Sequence, residues 1–88
     1  MKVLFTKNFD KNIKEIKDIK TKNDLLEIIS NVKKAANLSE IPNLKKLKGY
    51  KFHYRIRLRD YRIGFYIENE VIEFACFAHR KEIYRFFP

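Results

Sequence analysis

Residues 52–68 read FHYRIRLRDYRIGFYIE and alternate with a period of two. In an extended chain Phe52, Tyr54, Ile56 and Leu58 point to one side, and His53, Arg55, Arg57 and Arg59 to the other. Beyond Asp60 the pattern resumes. Tyr61, Ile63, Phe65 and Ile67 are apolar, and Arg62, Gly64, Tyr66 and Glu68 alternate with them. A hairpin turning at Arg59–Asp60 pairs Leu58 with Tyr61, Arg57 with Arg62, Arg55 with Gly64 and His53 with Tyr66. Facing residues of a hairpin share a face, so this register keeps the arginines together. A slip of one residue would carry arginine into the core, and burial therefore selects this parity.

The pattern extends in both directions. Residues 71–78, VIEFACFA, form a third strand after a turn at Asn69–Glu70. This turn pairs Tyr66 with Glu73, Gly64 with Ala75 and Arg62 with Phe77, and it places Ile72, Phe74 and Cys76 with Ile63 and Phe65. Upstream, Leu38 to Gly49 is a connection holding Pro42. A helix is expected from about Asp24 to Ala36, with Leu25, Ile28 or Ile29, Val32 and Ala35 or Ala36 as its apolar stripe. Thr21–Lys22–Asn23 separates it from an earlier helix that Asn8 or Thr6 caps, with Phe9, Ile13 and Ile16 on one face. Residues 2–6, KVLFT, add an edge strand. The order βααβββ predicts an α+β fold, a helical hairpin on one face of a twisted, mostly antiparallel sheet. The opposite face carries Arg55, Arg57, Arg59 and Arg62 around two small residues, Gly64 and Ala75. Such a groove, with guanidinium walls and a bare floor, suits a phosphate backbone.

Bulk properties narrow the function. The 88 residues make one domain, 1–88, because so short a chain buries only somewhat over ~60% of its unfolded surface. The net charge is +9, which points to a polyanionic partner. The longest apolar run, Val71 to Ala78, is broken by Glu73 and is far too short to span a membrane. Val3–Leu4–Phe5 is too short for a signal-peptide core, so the cytoplasm is the expected compartment. Cys76 is the lone cysteine, which rules out an intramolecular disulfide, and with two separated histidines it gives no zinc-ligand spacing. No metal and no cofactor is expected. Residues 1–48 hold twelve Lys and no Arg, whereas residues 49–88 hold all six Arg. Arg presents a planar fork of donors that suits phosphate, and Lys a point charge.

The hairpin YRIRLRDYRIGFY (54–66), the entry Leu47–Lys48–Gly49 and the tail HRKEIY (79–84) together resemble the toxins of RelE-type toxin–antitoxin systems, members of the RelE/ParE superfamily. The resemblance covers essentially the whole chain. It implies a RelE-like fold and a metal-independent, ribosome-dependent endoribonuclease that cleaves mRNA in the ribosomal A site. In that chemistry the RNA's own 2′-OH attacks the adjacent phosphate. By matching position, Arg57, Arg62, Arg80 and Tyr84 take the catalytic places. Arg55, Arg59, His79 and Lys81 take RNA-binding places. Where some relatives carry Lys, this chain has Arg55 and Arg57, which are effectively never deprotonated, so the general base stays open. The implied partners are a cognate antitoxin protein and mRNA on the ribosome.

Simpler roles stand beside these. Arg57 and Arg62 repel as cross-strand neighbours unless an anion, or an acid such as Glu73 or Glu82, compensates. Arg59, near the turn, could be plain solvated charge. Tyr84, beside Phe86 and Phe87, could pack against the sheet. His79 could be an acid or base, or structural. His53 and His79 lie roughly 20 Å apart along the strands, too far to serve one phosphate together. Two further functions share the fold: a ParE-like inhibitor of DNA gyrase, and a nucleic-acid-binding relative without activity.

Overall fold

The computed structural model describes residues 1–87. Strand β1 (Lys2–Phe5) leads into helices α1 (Lys7–Lys14) and α2 (Ile19–Lys34). A 3₁₀ turn at Leu38–Glu40 follows. Then come β2 (Lys45–Lys46), β3 (His53–Leu58), β4 (Tyr61–Glu68), β5 (Val71–His79) and a last helix, α3 (Ile83–Phe86). The five strands form one sheet in the order β1-β5-β4-β3-β2. β1 runs parallel to β5 and every other pairing is antiparallel. The expected βααβββ plan thus holds and gains two elements, β2 and α3. No helix among the described residues is long and apolar enough to cross a membrane.

Helix α1 begins where Thr6 accepts a hydrogen bond from the Phe9 N–H at 3.0 Å, while the Thr6 hydroxyl donates to the Ala75 carbonyl at 2.9 Å. One residue therefore caps the helix and docks it on β5. Helix α2 starts five residues earlier than Asp24. Asp18 is its cap, accepting from the Thr21 N–H and the Thr21 hydroxyl. The Thr21–Lys22–Asn23 stretch is helix rather than a break, because a cap at position 18 turns Thr21 into a first-turn residue. Thr21, Leu25, Ile29 and Val32 form the buried stripe of α2. They close over Ile56, Ile63, Phe65, Ile67, Ile72 and Phe74, with Phe9 among them. Phe74 packs against Phe65, Phe9 and Phe5 with ring centroids 4.7, 5.1 and 5.1 Å away.

The first hairpin has the expected register at every pair from His53↔Tyr66 to Leu58↔Tyr61. Asn69 and Glu70 turn the second with positive φ, 50° and 64°. Both central residues of a two-residue turn take such torsions in type I′, the turn whose twist matches the flanking strands. Tyr66↔Glu73 is as expected, but a bulge between Gly64 and Phe65 shifts the rest of β5 by one residue. Gly64 faces Cys76 instead of Ala75, and Arg62 faces Ala78 instead of Phe77. Phe77 consequently joins the helix-side core, and Cys76 leaves it. A bulge adds one residue to one strand and inverts the parity beyond it.

A candidate RNA-binding face

On the sheet face away from α2, two cross-strand rows carry the charge. Arg57 faces Arg62, and the next row runs Lys45, Arg55, Gly64, Cys76. Lys45 is a further candidate site residue, one that the sequence reading missed. It sits on a two-residue strand, shorter than any alternation can reveal. Asn43, Leu44, Lys45, Arg55 and Arg57 line an open depression of about 550 Å³ beside these rows.

The tail closes the site from the β5 end. The Arg80 N–H donates to the Asp60 carbonyl at 2.7 Å, and its Nε lies 3.9 Å from the Asp60 carboxylate. The start of the tail is thereby held against the β3–β4 turn. Arg62 donates from Nη1 to the carbonyls of Arg59 and Tyr61, both at 2.8 Å. Partial burial, then the charges of Arg57, Arg55 and Arg80, push the Arg62 guanidinium below its ordinary value, while Tyr84 acts the other way. Arg57, Arg55, Arg80 and Tyr84 therefore all lie within electrostatic reach of Arg62. Neither Glu73 nor Glu82 makes an ion pair among the described residues. Tyr84 is 59% exposed, standing out from the tail instead of packing on the sheet.

Three expected site features fall elsewhere. Arg59 takes φ 52°, which turns it to the helical side. There its Nη1 meets Asp24 at 2.5 Å and its Nη2 the Thr21 hydroxyl at 3.0 Å, so it braces α2 rather than the arginine face. His79 pairs with Tyr61, beyond the Arg62 row. It lines a groove of about 650 Å³ on the α1 side, with its Nδ1 accepting from the Lys81 N–H at 3.1 Å. The bare floor is filled as well. Phe87 lies over Gly64, and Ala75, Cys76, Ile83 and Phe87 form a second small core beneath the tail. Lys81 is exposed at the start of the tail.

Chemically, this face can hold a phosphodiester among fixed cations with an exposed phenol beside it. Since guanidinium groups do not give up their protons, the arginines stabilise charge and do not act as bases.

The profile of the ParE toxin of type II toxin–antitoxin systems, parDE, matches residues 3–84. The chain belongs to this family. It is 40% identical to Toxin RelE3 of Methanocaldococcus jannaschii over the full length of both proteins. Its fold superposes on the RelB-RelE antitoxin-toxin complex from Methanococcus jannaschii with a TM-score of 0.81 and 35% identity, covering 97% of this chain and 99% of that one. The archaeal RelE-RelB complex from Pyrococcus horikoshii OT3 shares the fold, with a TM-score of 0.70 and 23% identity over 90% and 93% of the two chains. The protein is thus a type II toxin of the RelE kind, and its α+β sheet is RelE-like.

Proposed function

We propose that this toxin is an endoribonuclease that cleaves mRNA in the ribosomal A site and so stops translation. The carrying observation is the gathering of Arg55, Arg57, Arg62 and Arg80 with the exposed Tyr84. Fixed positive charge around a phosphate lowers the cost of the charge that develops as the 2′-OH attacks. Holding the RNA in line supplies the remainder. Arg62 is the central cation, Arg57 and Arg80 flank the phosphate, and Arg55 with Lys45 guides the strand. Tyr84 stacks on a base or moves a proton. The toxin needs no metal of its own in this scheme.

A cognate antitoxin is its proposed partner. The M. jannaschii and P. horikoshii relatives are seen as RelB-RelE complexes, and a net charge of +9 favours an acidic segment across the arginine face.

The test is primer extension on a defined mRNA. Purified toxin is added to programmed ribosomes and, separately, to naked mRNA, and the new ends are analysed. Cuts within the A-site codon, bearing a 2′,3′-cyclic phosphate and seen only with ribosomes, are the expected result. A second reading, poisoning of DNA gyrase, draws on the parDE description of the family profile. Loss of gyrase supercoiling with no cut on the ribosome would establish it instead.

A further inference from the structure

The tail is pinned at two points. Arg80 is tied to Asp60 at its start, and Phe87, 1% exposed, is buried at its end. The Phe87 seat is specific. A Cβ built on Gly64 would stand 2.6 Å from Cδ2 and 2.7 Å from Cγ of the Phe87 ring, so only a glycine leaves room for it. The torsions of Gly64 are ones any residue adopts, and the need for glycine comes from the ring alone. His53 and Tyr66 flank the ring, each with its centroid 5.2 Å away. The Phe87 N–H donates to the Ile83 carbonyl at 2.8 Å.

Helix α3 has four residues, too few to stand without tertiary contacts. Ile83 and Phe87 are its buried anchors, and Tyr84 is carried between them on the outer side. Phe87 lies past residue 84, where the family match ends.

We propose that Phe87 is a positioning residue of the RNA site. Its ring, keyed to Gly64, sets where Tyr84 stands relative to Arg62. Buried as it is, Phe87 does not touch RNA and acts through Tyr84. The inference rests on Tyr84 belonging to the RNA site, as proposed above.

Cys76 supplies a reporter for the test. It is the only cysteine, 2% exposed, and shares the small core with Ile83 and Phe87. In the intact toxin, labelling of Cys76 by a disulfide reagent should be slow, since the thiol is buried. Phe87→Ala should speed it roughly ten- to a hundredfold, the loss of one buried aromatic anchor, with the circular dichroism of the sheet unchanged. Cleavage on ribosomes should fall about tenfold or more in kcat, with KM nearly constant. Phe87→Leu should recover part of both changes, and it serves in place of Phe87→Ala if that variant does not fold. Gly64→Ala should reproduce Phe87→Ala, and the two together should be no worse than either alone. In a Tyr84→Ala background, Phe87→Ala should cost cleavage nothing further. Full cleavage in Phe87→Ala, or losses at 84 and 87 that multiply, would overturn the proposal. A wild type that cuts no RNA would end the nuclease reading, and the labelling arm would still decide the seat. Unchanged labelling in Phe87→Ala overturns it, and faster labelling upholds it.

Discussion

Arg57 and Arg62 stand directly opposite each other across β3 and β4, and neither has a carboxylate partner among the described residues. Two like charges in this position destabilise a hairpin unless an anion joins them. Inorganic phosphate should therefore stabilise the toxin, by about 1.4 kcal/mol at ten times its Kd. Thermal melts of wild type and Arg62→Ala at matched ionic strength measure this, and Arg62→Ala should lose most of the gain. The same substitution should lower ribosomal cleavage by about 10²–10³. Arg62→Lys should restore only part of it, because an ammonium lacks the bidentate fork.

Tyr84 is exposed, so substitution there should change stability by no more than about 0.5 kcal/mol. Cleavage separates its two roles. If the ring stacks on a base, Tyr84→Phe should keep most activity and Tyr84→Ala lose it. If the hydroxyl moves a proton, both should lose it alike. Single-turnover cleavage of the two variants on ribosomes decides between them.

Arg59 bridges to Asp24 and Thr21 on α2. Arg59→Ala should leave cleavage within about threefold of wild type, since this side chain is absent from the arginine face. Its effect should appear in stability. A double-mutant cycle with Asp24→Ala should give a coupling of about 0.2–1 kcal/mol, the usual range for a partly exposed pair. A large loss of cleavage in Arg59→Ala would return Arg59 to the RNA site.

Asp18 caps α2, and its hydrogen bonds from the Thr21 hydroxyl and N–H hold its carboxyl below the ordinary value. The sign follows from linkage. The folded state favours the ionised form, so this stabilisation is present above the ordinary carboxylate range. It is lost as pH falls through that range and below it. Urea melts between neutral pH and about pH 3 should show a steeper acid-side decline for wild type than for Asp18→Asn.

Much of the fold was legible because burial fixes parity. Every pair of the first hairpin follows from keeping arginine out of the core, and Leu25 and Val32 announce the buried stripe of α2. What stayed hidden has local causes. The bulge after Gly64 leaves no mark in an alternation that is apolar on both faces, since Ala75, Cys76, Phe77 and Ala78 offer no polar residue to fix the phase. The Asp18 cap was masked by the Thr21–Lys22–Asn23 run. Lys45 lies on a strand of two residues. The arginine face was readable as chemistry, but the turn torsion at Arg59 and the seat of Phe87 depend on distant partners, Asp24 and Gly64, which periodicity does not connect.

β5 runs on past β1, so beyond Phe74 its outer edge has no neighbouring strand among the described residues. Side chains of the α1 region stand in for one. Thr6 and Asn8 donate to the Ala75 carbonyl at 2.9 and 3.4 Å, and Asn12 accepts from the Phe77 N–H at 2.9 Å. An open edge is a template for adding another chain, and these three side chains occupy it. Two asparagines and a threonine thus occupy backbone groups that would otherwise stand open to pairing with another chain. With Asn8 and Asn12 replaced by alanine, association along this edge should rise with protein concentration, which light scattering would measure.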